Sequence, residues 1–330
     1  MDVKPLYSAA DLARWDAFIV RSSGGTLFHT SSWKPLCELI PGDLWRVAAV
    51  ENDQGEIDGG IVFVERRRLG LRLAIQPLGT PYIGIVLPDV VVDPGKREEI
   101  ARCLLDWLTR QCRYAFFQNP PECSVLSGAG FRWSIIERST PYVTLDDKDA
   151  MWSALKGNAR RKINKVRKAG YQINVMERPV LFPDEREDME HLLESTNQRV
   201  GQVIYPFEFV HALLADEQLS SRRLVLWARP GLGAPPEAML AFVWDERKAY
   251  YLLPLASDEG LKAGAMYLLV WRAMKMLSEK GIKSLDMLGS NLPGLARFKG
   301  YFNGDDKPYH QLKYYRNPVI RILDLLRKHH

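Results

Sequence analysis

The stretch AMLAFVWDERKAYYLLPLASDEGLKAGAMYLLVWRAMKMLSEKGIKSLDML, residues 238–288, decides the fold. Its first part holds two strand-like apolar runs, 238–245 and 248–256, which are joined through a short charged turn and predict a β-hairpin. Residues 265–281 follow with apolar side chains at helical spacing and predict a long helix. The apolar run 284–288 predicts a short strand. A hairpin, a long helix and a strand in this order indicate an α/β domain.

The first half of the chain has the same order of predicted elements. Residues 45–51 and 57–67 predict a hairpin, residues 95–111 a long helix, and short strands follow. The residues themselves show no repeat, so the similarity lies in the order of the elements and suggests a duplicated α/β unit. A chain of 330 residues is long enough for two domains. We predict an N-terminal domain over 1–147 and a C-terminal domain over 148–330.

Composition excludes several classes of protein. An apolar fraction of 46% excludes an intrinsically disordered chain. The most apolar stretch, residues 73–92, is interrupted by Gln76, three prolines and Asp89, and predicts no membrane crossing. Four cysteines without CxxC spacing and six histidines without a metal motif predict neither a disulfide scaffold nor a metal site. The amino terminus lacks the apolar core of a secretory signal, so we expect a cytoplasmic protein.

The positive charge is concentrated in one segment. Seven bases and no acid lie between residues 156 and 168, whereas the rest of the chain has 38 bases (45 minus 7) against 40 acids. The segment belongs to a helix predicted over about 149–169, which opens the C-terminal domain. Apolar residues of this helix form a stripe that faces a core, and Arg160, Arg161 and Lys165 lie on its flanks. We predict that these three bases converge on an anion; a solvated charged face is the alternative.

Four short motifs follow one another along the chain. They are residues 28–34 (FHTSSWK), 79–82 (GTPY), 168–171 (KAGY) after the basic helix, and 298–304 (FKGYFNG). Together they resemble the FemAB-type aminoacyl transferases and related acyltransferases. The first motif is similar to the family's Phe-x-(Gln/His)-(Ser/Thr)-x-x-Trp opening. The last is similar to its Phe-Lys-x-x-Phe-Gly ending, here with Asn303 inserted. The resemblance implies an α/β fold of two GNAT-like domains, each a mixed sheet flanked by helices.

The resemblance also implies roles for particular side chains. Lys299 is the lysine of the Phe-Lys pair, which the family places against the oxyanion of acyl transfer. Lys34 is the nearest match to a lysine that contacts a phosphate of the acceptor, and Tyr82 matches the loop that lines the acceptor cleft. Two further catalytic candidates come from the strands. Asp286, at the end of a short strand, is a candidate to orient the amine or accept its proton, and Tyr250 to return a proton to the leaving group.

The donor site is predicted at Gly264 and Ala265. GNAT enzymes offer the backbone N–H groups of a (Gln/Arg)-x-x-Gly-x-(Gly/Ala) loop to the pyrophosphate of coenzyme A at a helix start. Residues 260–266 (GLKAGAM) hold a glycine before a helix but not the full pattern. The donor is therefore either acyl-coenzyme A or an aminoacyl-tRNA, as in FemAB-type enzymes, and no tightly bound cofactor is expected.

These features predict an acyltransferase that joins an activated acyl or aminoacyl group to an amine of a phosphate-bearing small molecule, such as a cell-envelope precursor used in cell wall biogenesis. One alternative is a coenzyme A-dependent N-acyltransferase acting on an amino sugar or natural-product intermediate. The other is a non-enzymatic RNA- or polyanion-binding module. Charged tRNA is a candidate partner. The basic, amphipathic residues 318–328 predict a helix that either packs on the second domain or rests on the inner membrane face.

Overall fold

The described chain folds into two compact units, residues 1–138 together with 308–317, and residues 139–307. The computed structural model describes residues 1–89, 93–123, 133–176, 181–289 and 292–317. The predicted helix over 318–328 lies outside the described residues.

The structure divides the chain differently from the predicted break at 147/148. Residues 142–144 pair with the strand Ser284–Asp286, so they belong with the second unit. Residues 311–315 pair with the strand Tyr114–Gln118, so the end of the chain returns to the first unit. The separate hydrophobic runs gave no sign of these pairings because they join segments far apart in sequence.

The first unit is a mixed sheet flanked by helices. Its strands are β1 (Val3–Leu6), β2 (Leu44–Glu51), β3 (Ile57–Arg68), β4 (Leu71–Ile75), β5 (Ile85–Val86), β6 (Tyr114–Gln118) and the start of β7 (Trp133–Thr144). Its helices are α1 (Ala9–Arg21), α2 (Lys34–Cys37) and α3 (Pro94–Gln111). The predicted hairpin is confirmed as β2 and β3, and its turn is closed by Gly55 N–H donating to the carbonyl of Asn52 at 2.9 Å.

The second unit follows the same plan. Its elements are α4 (Lys148–Ala154), α5 (Gly157–Lys168), β8 (Gln172–Met176), α6 (Pro183–Val200), α7 (Phe207–Ala215), β9 (Arg223–Arg229), β10 (Ala238–Trp244), β11 (Ala249–Ala256), α8 (Asp258–Ala263), α9 (Ala265–Glu279), β12 (Ser284–Asp286), α10 (Pro293–Lys299) and the start of β13 (Asp305–Tyr315). The hairpin, long helix and strand predicted from residues 238–288 are confirmed as β10, β11, α9 and β12.

Both units pair their strands in one pattern. In the first unit, antiparallel joins run from β1 to β4, a parallel join links β4 to β6, and the end of β13 follows antiparallel. In the second, antiparallel joins run from β8 to β11, a parallel join links β11 to β12, and the end of β7 follows antiparallel. The predicted duplication is therefore present. The last strand of the first unit is the end of β13, which comes from the second half of the chain. The last strand of the second unit is the end of β7, which comes from the first half.

The predicted basic helix is two helices. Leu155 and Lys156 are extended between α4 and α5, and the Lys156 N–H donates to the carbonyl of Tyr301 at 3.0 Å. This contact with a segment distant in sequence is what interrupts the helix. The predicted apolar stripe of α5 is confirmed, because Ala159, Ile163 and Val166 are fully buried in one core with α9 and the sheet.

Candidate functional site

The parallel strands β11 and β12 separate to form a fork. Their pairing joins Ala249 to Leu285 and Tyr250 to Asp286 and then stops, while β11 continues to Ala256. Within the described residues, no strand pairs with β11 beyond Tyr250 on that side. After β12 the chain turns through Leu288 and Gly289, which both have positive φ, 54° and 58°. The fork is thus an opening in the sheet bounded by two arms of known position.

Lys299 lies at this fork. It is only 2% exposed, and its Nζ donates to the carbonyl of Leu288 and, at 2.5 Å, to that of Gly289. The same Nζ lies 5.4 Å from the centre of the Tyr251 ring on β11. Lys299 therefore reaches the arm after β12 through two hydrogen bonds and the β11 arm through a cation–π contact.

Burial and a nearby carboxylate have opposite effects on the pKa of Lys299. Burial lowers the pKa of its ammonium to about 7, and the nearby Asp286 carboxylate opposes part of that decrease. A charged ammonium has three N–H groups, and the two carbonyls accept from two of them. The charged form therefore has one N–H left for a further oxygen. A developing oxyanion at the fork is such an acceptor.

Asp286 shapes the turn that holds Lys299. Its fully buried carboxylate accepts the Thr140 hydroxyl at 2.5 Å and the Leu288 N–H at 2.8 Å. The Thr140 hydroxyl oxygen in turn accepts the Gly289 N–H at 3.2 Å. These bonds fix the two residues whose carbonyls receive the Lys299 ammonium. Asp286 is thus a positioning residue in this geometry, and its predicted role toward the amine stays a prediction.

Removing the Thr140 hydroxyl tests this network. Thr140→Val leaves the buried Asp286 carboxylate short of one donor, and we expect a loss of about 1–3 kcal/mol in the free energy of unfolding. Urea denaturation measures it. Thr144→Val is the matched control because Thr144 lies on the same strand but is exposed. An equal loss of stability in both variants would show that the hydrogen bonds of Thr140 do not stabilise the turn at residues 288–289.

The two adjacent tyrosines of β11 point to opposite faces. Tyr250 is fully buried and donates its hydroxyl to Asp245 at 2.6 Å, and burial raises the pKa of that phenol well above its usual range. Tyr251 is the residue whose ring faces Lys299. The sequence predicts that one of the pair faces the cleft, but strand alternation does not say which. The role of Tyr250 as a proton donor remains a prediction.

A β-bulge lies in β11 just beyond the fork. Ala241 pairs with Leu253 and Phe242 with Tyr251, so Leu252 is the extra residue outside the ladder with β10. Tyr205, which follows α6, donates its hydroxyl to the Leu252 carbonyl at 2.8 Å. The bulge thus turns part of the β11 backbone away from the sheet. Sequence reasoning missed Tyr205, which stands in a loop without any motif.

The predicted donor residues lie at the start of α9. Gly264 has a φ of 95° and no side chain caps the helix that begins at Ala265. A Cβ on Gly264 would stand 3.3 Å from Cδ of Lys162 on α5, so that lysine passes beside the turn. Uncapped backbone N–H groups and a nearby cation are what a phosphate needs at a helix start. Lys162 is a further candidate that the sequence analysis did not single out from the basic segment.

The three predicted anion-binding bases of α5 do not share one side of the helix. Arg161 and Lys165, four residues apart, lie on its exposed side, and Arg160 is half-buried on another. The basic residue nearest the Gly264 turn is Lys162. The structure therefore distributes the positive charge around α5 instead of directing it to one point.

Lys34 and Tyr82 lie in the first unit. Lys34 begins α2 and is 4.0 Å from the Glu38 carboxylate, with 42% of its side chain exposed. Tyr82 is only 2% exposed, and its ring packs edge-on against Tyr309 at 5.7 Å between centroids. Tyr82 is thus part of the aromatic core in this structure, and its contact with an acceptor remains a prediction.

The first unit has a comparable fork, but a side chain fills it. The parallel join of β4 and β6 ends at Ala74 and Ala115. The Gln76 amide then accepts the Gln118 N–H at 2.7 Å and donates to the Thr80 carbonyl at 2.8 Å. The helix that follows, α3, is capped by the Asp93 carboxylate, which repels an anion. Of the two forks, the one in the second unit has the features of a donor site.

Among the residues that the structure describes, no group of three or more His, Cys, Asp or Glu side chains is placed to hold a metal ion. None of the described helices is both long and apolar enough to cross a membrane.

Comparison with known proteins supports the fold. The family described as the acetyltransferase (GNAT) domain matches residues 153–300. That region is just under half of the chain and includes the fork, Lys299 and Gly264, so it is similar to a GNAT domain. No curated protein matches the chain.

Solved structures match over nearly the whole chain. FemX is 13% identical, with a TM-score of 0.68 over 97% of this chain and 99% of that one. The C-terminal domain of a putative lysylphosphatidylglycerol synthetase from Agrobacterium fabrum is 15% identical, with a TM-score of 0.58 over 96% and 95%. A tandem GNAT protein from the clavulanic acid biosynthesis pathway is 13% identical, with a TM-score of 0.56 over 96% and 99%. The predicted FemAB-type fold of two GNAT-like domains is confirmed.

Proposed function

We propose that this chain, which has the FemAB-type tandem GNAT fold, transfers an activated acyl or aminoacyl group to an amine of a phosphate-bearing acceptor. The observation that carries the proposal is the position of Lys299, whose buried ammonium touches both arms of the β11–β12 fork. A cation held there before the reaction begins stabilises charge that develops only in the transition state.

The reaction needs alignment more than a strong base. The amine nitrogen forms a bond to the donor carbonyl carbon, and the carbonyl oxygen becomes an oxyanion beside Lys299. The bond from that carbon to the carrier oxygen or sulfur then breaks. The amine loses a proton and the leaving group gains one, so charge balances. Holding both substrates in the fork supplies a large part of the rate.

The acceptor is a cell-envelope precursor in this proposal. One of the similar structures supports it, since the name lysylphosphatidylglycerol synthetase describes a product that joins lysine to phosphatidylglycerol, a phosphate-bearing molecule. Lys34 of the first unit and the bases of α5 of the second unit are each predicted contacts for a phosphate of the acceptor, and Asp286 positions Lys299 through the turn at 288–289.

A coenzyme A-dependent N-acyltransferase is the second candidate. The observation in its favour is the Gly264 turn, where uncapped N–H groups and Lys162 suit a diphosphate such as that of coenzyme A. A module that only binds polyanions has less support, because it gives no reason for a buried lysine at the fork.

A thermal-shift screen at low and moderate salt distinguishes the donors. The ligands are coenzyme A, acyl-coenzyme A thioesters, charged and uncharged tRNA, and nucleotide-linked cell-wall precursors. A ligand at ~100 times its dissociation constant adds ~2.7 kcal/mol to the stability of the native state. Stabilisation by charged tRNA or a precursor supports the first candidate, and stabilisation by thioesters that persists with salt supports the second. Stabilisation by uncharged and charged tRNA alike, with no effect of any other ligand, would contradict both.

A further inference from the structure

A second concave site lies on the second unit, between the end of α5 and one side of α9. It has a volume of about 270 Å³ and is lined by Arg167, Tyr171, Ile173, Leu268, Trp271, Arg272 and Lys275. The α9 residues 268, 271, 272 and 275 follow the helical repeat, so they form one continuous wall. None of these lining residues belongs to the fork or to the Gly264 turn.

The cations in this pocket form no ion pair with the described residues. Arg167, Arg272 and Lys275 supply three cations, and within the described chain none of them has a carboxylate within 4.0 Å. Their contacts there are aromatic: the Arg167 guanidinium lies 5.5 Å from the Trp152 ring, and the Lys275 ammonium 5.9 Å from the Trp271 ring. Two acids are near. Glu279 follows Lys275 by one turn, and Glu237 accepts the Tyr171 hydroxyl.

The positive charges around this pocket lie close enough to one another to lower the pKa of Lys275. Burial lowers the pKa of Lys275, and the positive charges of Arg272, Arg167 and Lys148 lower it further, while Glu279 acts in the opposite direction. Cations that repel one another around a cavity are stabilised when an anion enters it. Arginine in particular offers paired donors that suit phosphate oxygens.

The geometry favours a small ligand over a long polyanion. Arg161, Lys165 and Lys168 form an exposed row along α5. Arg167 is also exposed, but it is the base of this helix that borders the pocket. A polynucleotide lying across α5 would draw on the exposed row. A cavity of this size instead surrounds a group of a few atoms, and its apolar wall of Ile173 and Leu268 suits the remainder of a small molecule.

We propose that this pocket binds a phosphate or diphosphate group of a small molecule, held by Arg167, Arg272 and Lys275. The site is separate from the donor site, although the same two helices flank both. Lys162 and Val166 of α5 lie beside the Gly264 turn at the start of α9. A ligand that bridges α5 and α9 therefore stabilises the packing that supports this turn.

Calorimetric titration with inorganic pyrophosphate at constant ionic strength tests the proposal. We expect wild-type protein to bind it with a dissociation constant below about 1 mM. Arg272→Gln and Lys275→Gln should each weaken binding by about tenfold or more, since each removes a charge-assisted contact. Lys168→Gln is the matched control, because it removes one charge from the exposed row of α5, next to Arg167 but outside the pocket lining, and should change affinity by less than about twofold.

Two results would overturn the pocket. One is that the folded wild-type protein does not bind pyrophosphate, whether or not it binds a short RNA. The other is that Lys168→Gln weakens binding as much as the pocket variants do, which would assign the charge to an exposed surface for polyanions. Donor-induced stabilisation of the Arg272→Gln variant separates this proposal from the acyltransferase function. It should equal that of wild type, because Arg272 does not contact the fork.

Discussion

Lys299→Met should lower the rate of acyl transfer by about 10²–10³-fold, the loss typical for removal of one oxyanion donor. The methionine keeps an apolar stem of similar length but removes the ammonium at the fork. Steady-state kinetics with the donor identified by the thermal-shift screen measures the effect. The decrease should appear in kcat, because the contact forms with the oxyanion and not with the ground state.

The matched control is Arg297→Met. Arg297 lies two residues earlier in α10 but is exposed, so the same change of charge there should alter kcat by less than about twofold. Thermal unfolding of both variants shows that they are folded. Equal kcat for Lys299→Met and wild type would remove Lys299 from the chemistry.

The pH dependence of kcat shows whether Lys299 acts as a charged ammonium or as a neutral amine. Since the pKa of Lys299 is about 7, its charged form is lost as pH rises through that value. An oxyanion contact needs the charged form, so kcat should fall above about pH 7, and this decrease should be absent in Lys299→Arg, which stays charged. An increase of kcat through the same range in wild type, lost in Lys299→Arg, would mean that the neutral amine acts as a base instead.

Gly264→Ala should weaken donor binding by about tenfold or more. The new Cβ would stand 3.3 Å from Cδ of Lys162 and would enter the turn where the donor's phosphates are expected. A φ of 95° also strains any residue with a side chain, by about 1–2 kcal/mol. Donor titration followed by calorimetry measures the affinity.

Gly281→Ala separates strain from binding. Gly281 has a similar φ of 85° at the other end of the same helix, and a Cβ there meets nothing within 4 Å. Both variants should therefore lose similar stability, while only Gly264→Ala loses donor affinity. Unchanged affinity in Gly264→Ala would place the donor elsewhere.

Much of the fold follows from local patterns in the sequence. The hairpins and the long helices were predictable because their hydrophobic periods are uninterrupted and their turns carry suitable residues, as at Asn52–Gly55. The break between α4 and α5 was not, since it depends on a hydrogen bond between Lys156 and the distant Tyr301. The pairing of β13 with β6 and of β7 with β12 was not predictable for the same reason, because strands that lie far apart in sequence leave no local signal of their pairing.

The candidate site, like the fold, was predictable from the sequence only in part. Lys299 was identifiable by its motif, but the motif says nothing of its burial or of the carbonyls that bind it. Alternation along β11 indicated that one of two tyrosines faces the cleft, and only the structure identifies Tyr251. The seven bases between residues 156 and 168 drew attention to α5. Arg272 and Lys275, in contrast, stand alone among apolar residues of α9 and join Arg167 only through packing.

Hydrogen exchange with and without donor tests most directly whether acyl transfer takes place at the fork of the second unit. A donor seated there should protect the backbone amides of residues 251–256 and 264–268, and Gly264→Ala should reduce that protection. Protection confined to residues 73–86 of the first unit, or none by any donor that stabilises the protein, would contradict the account.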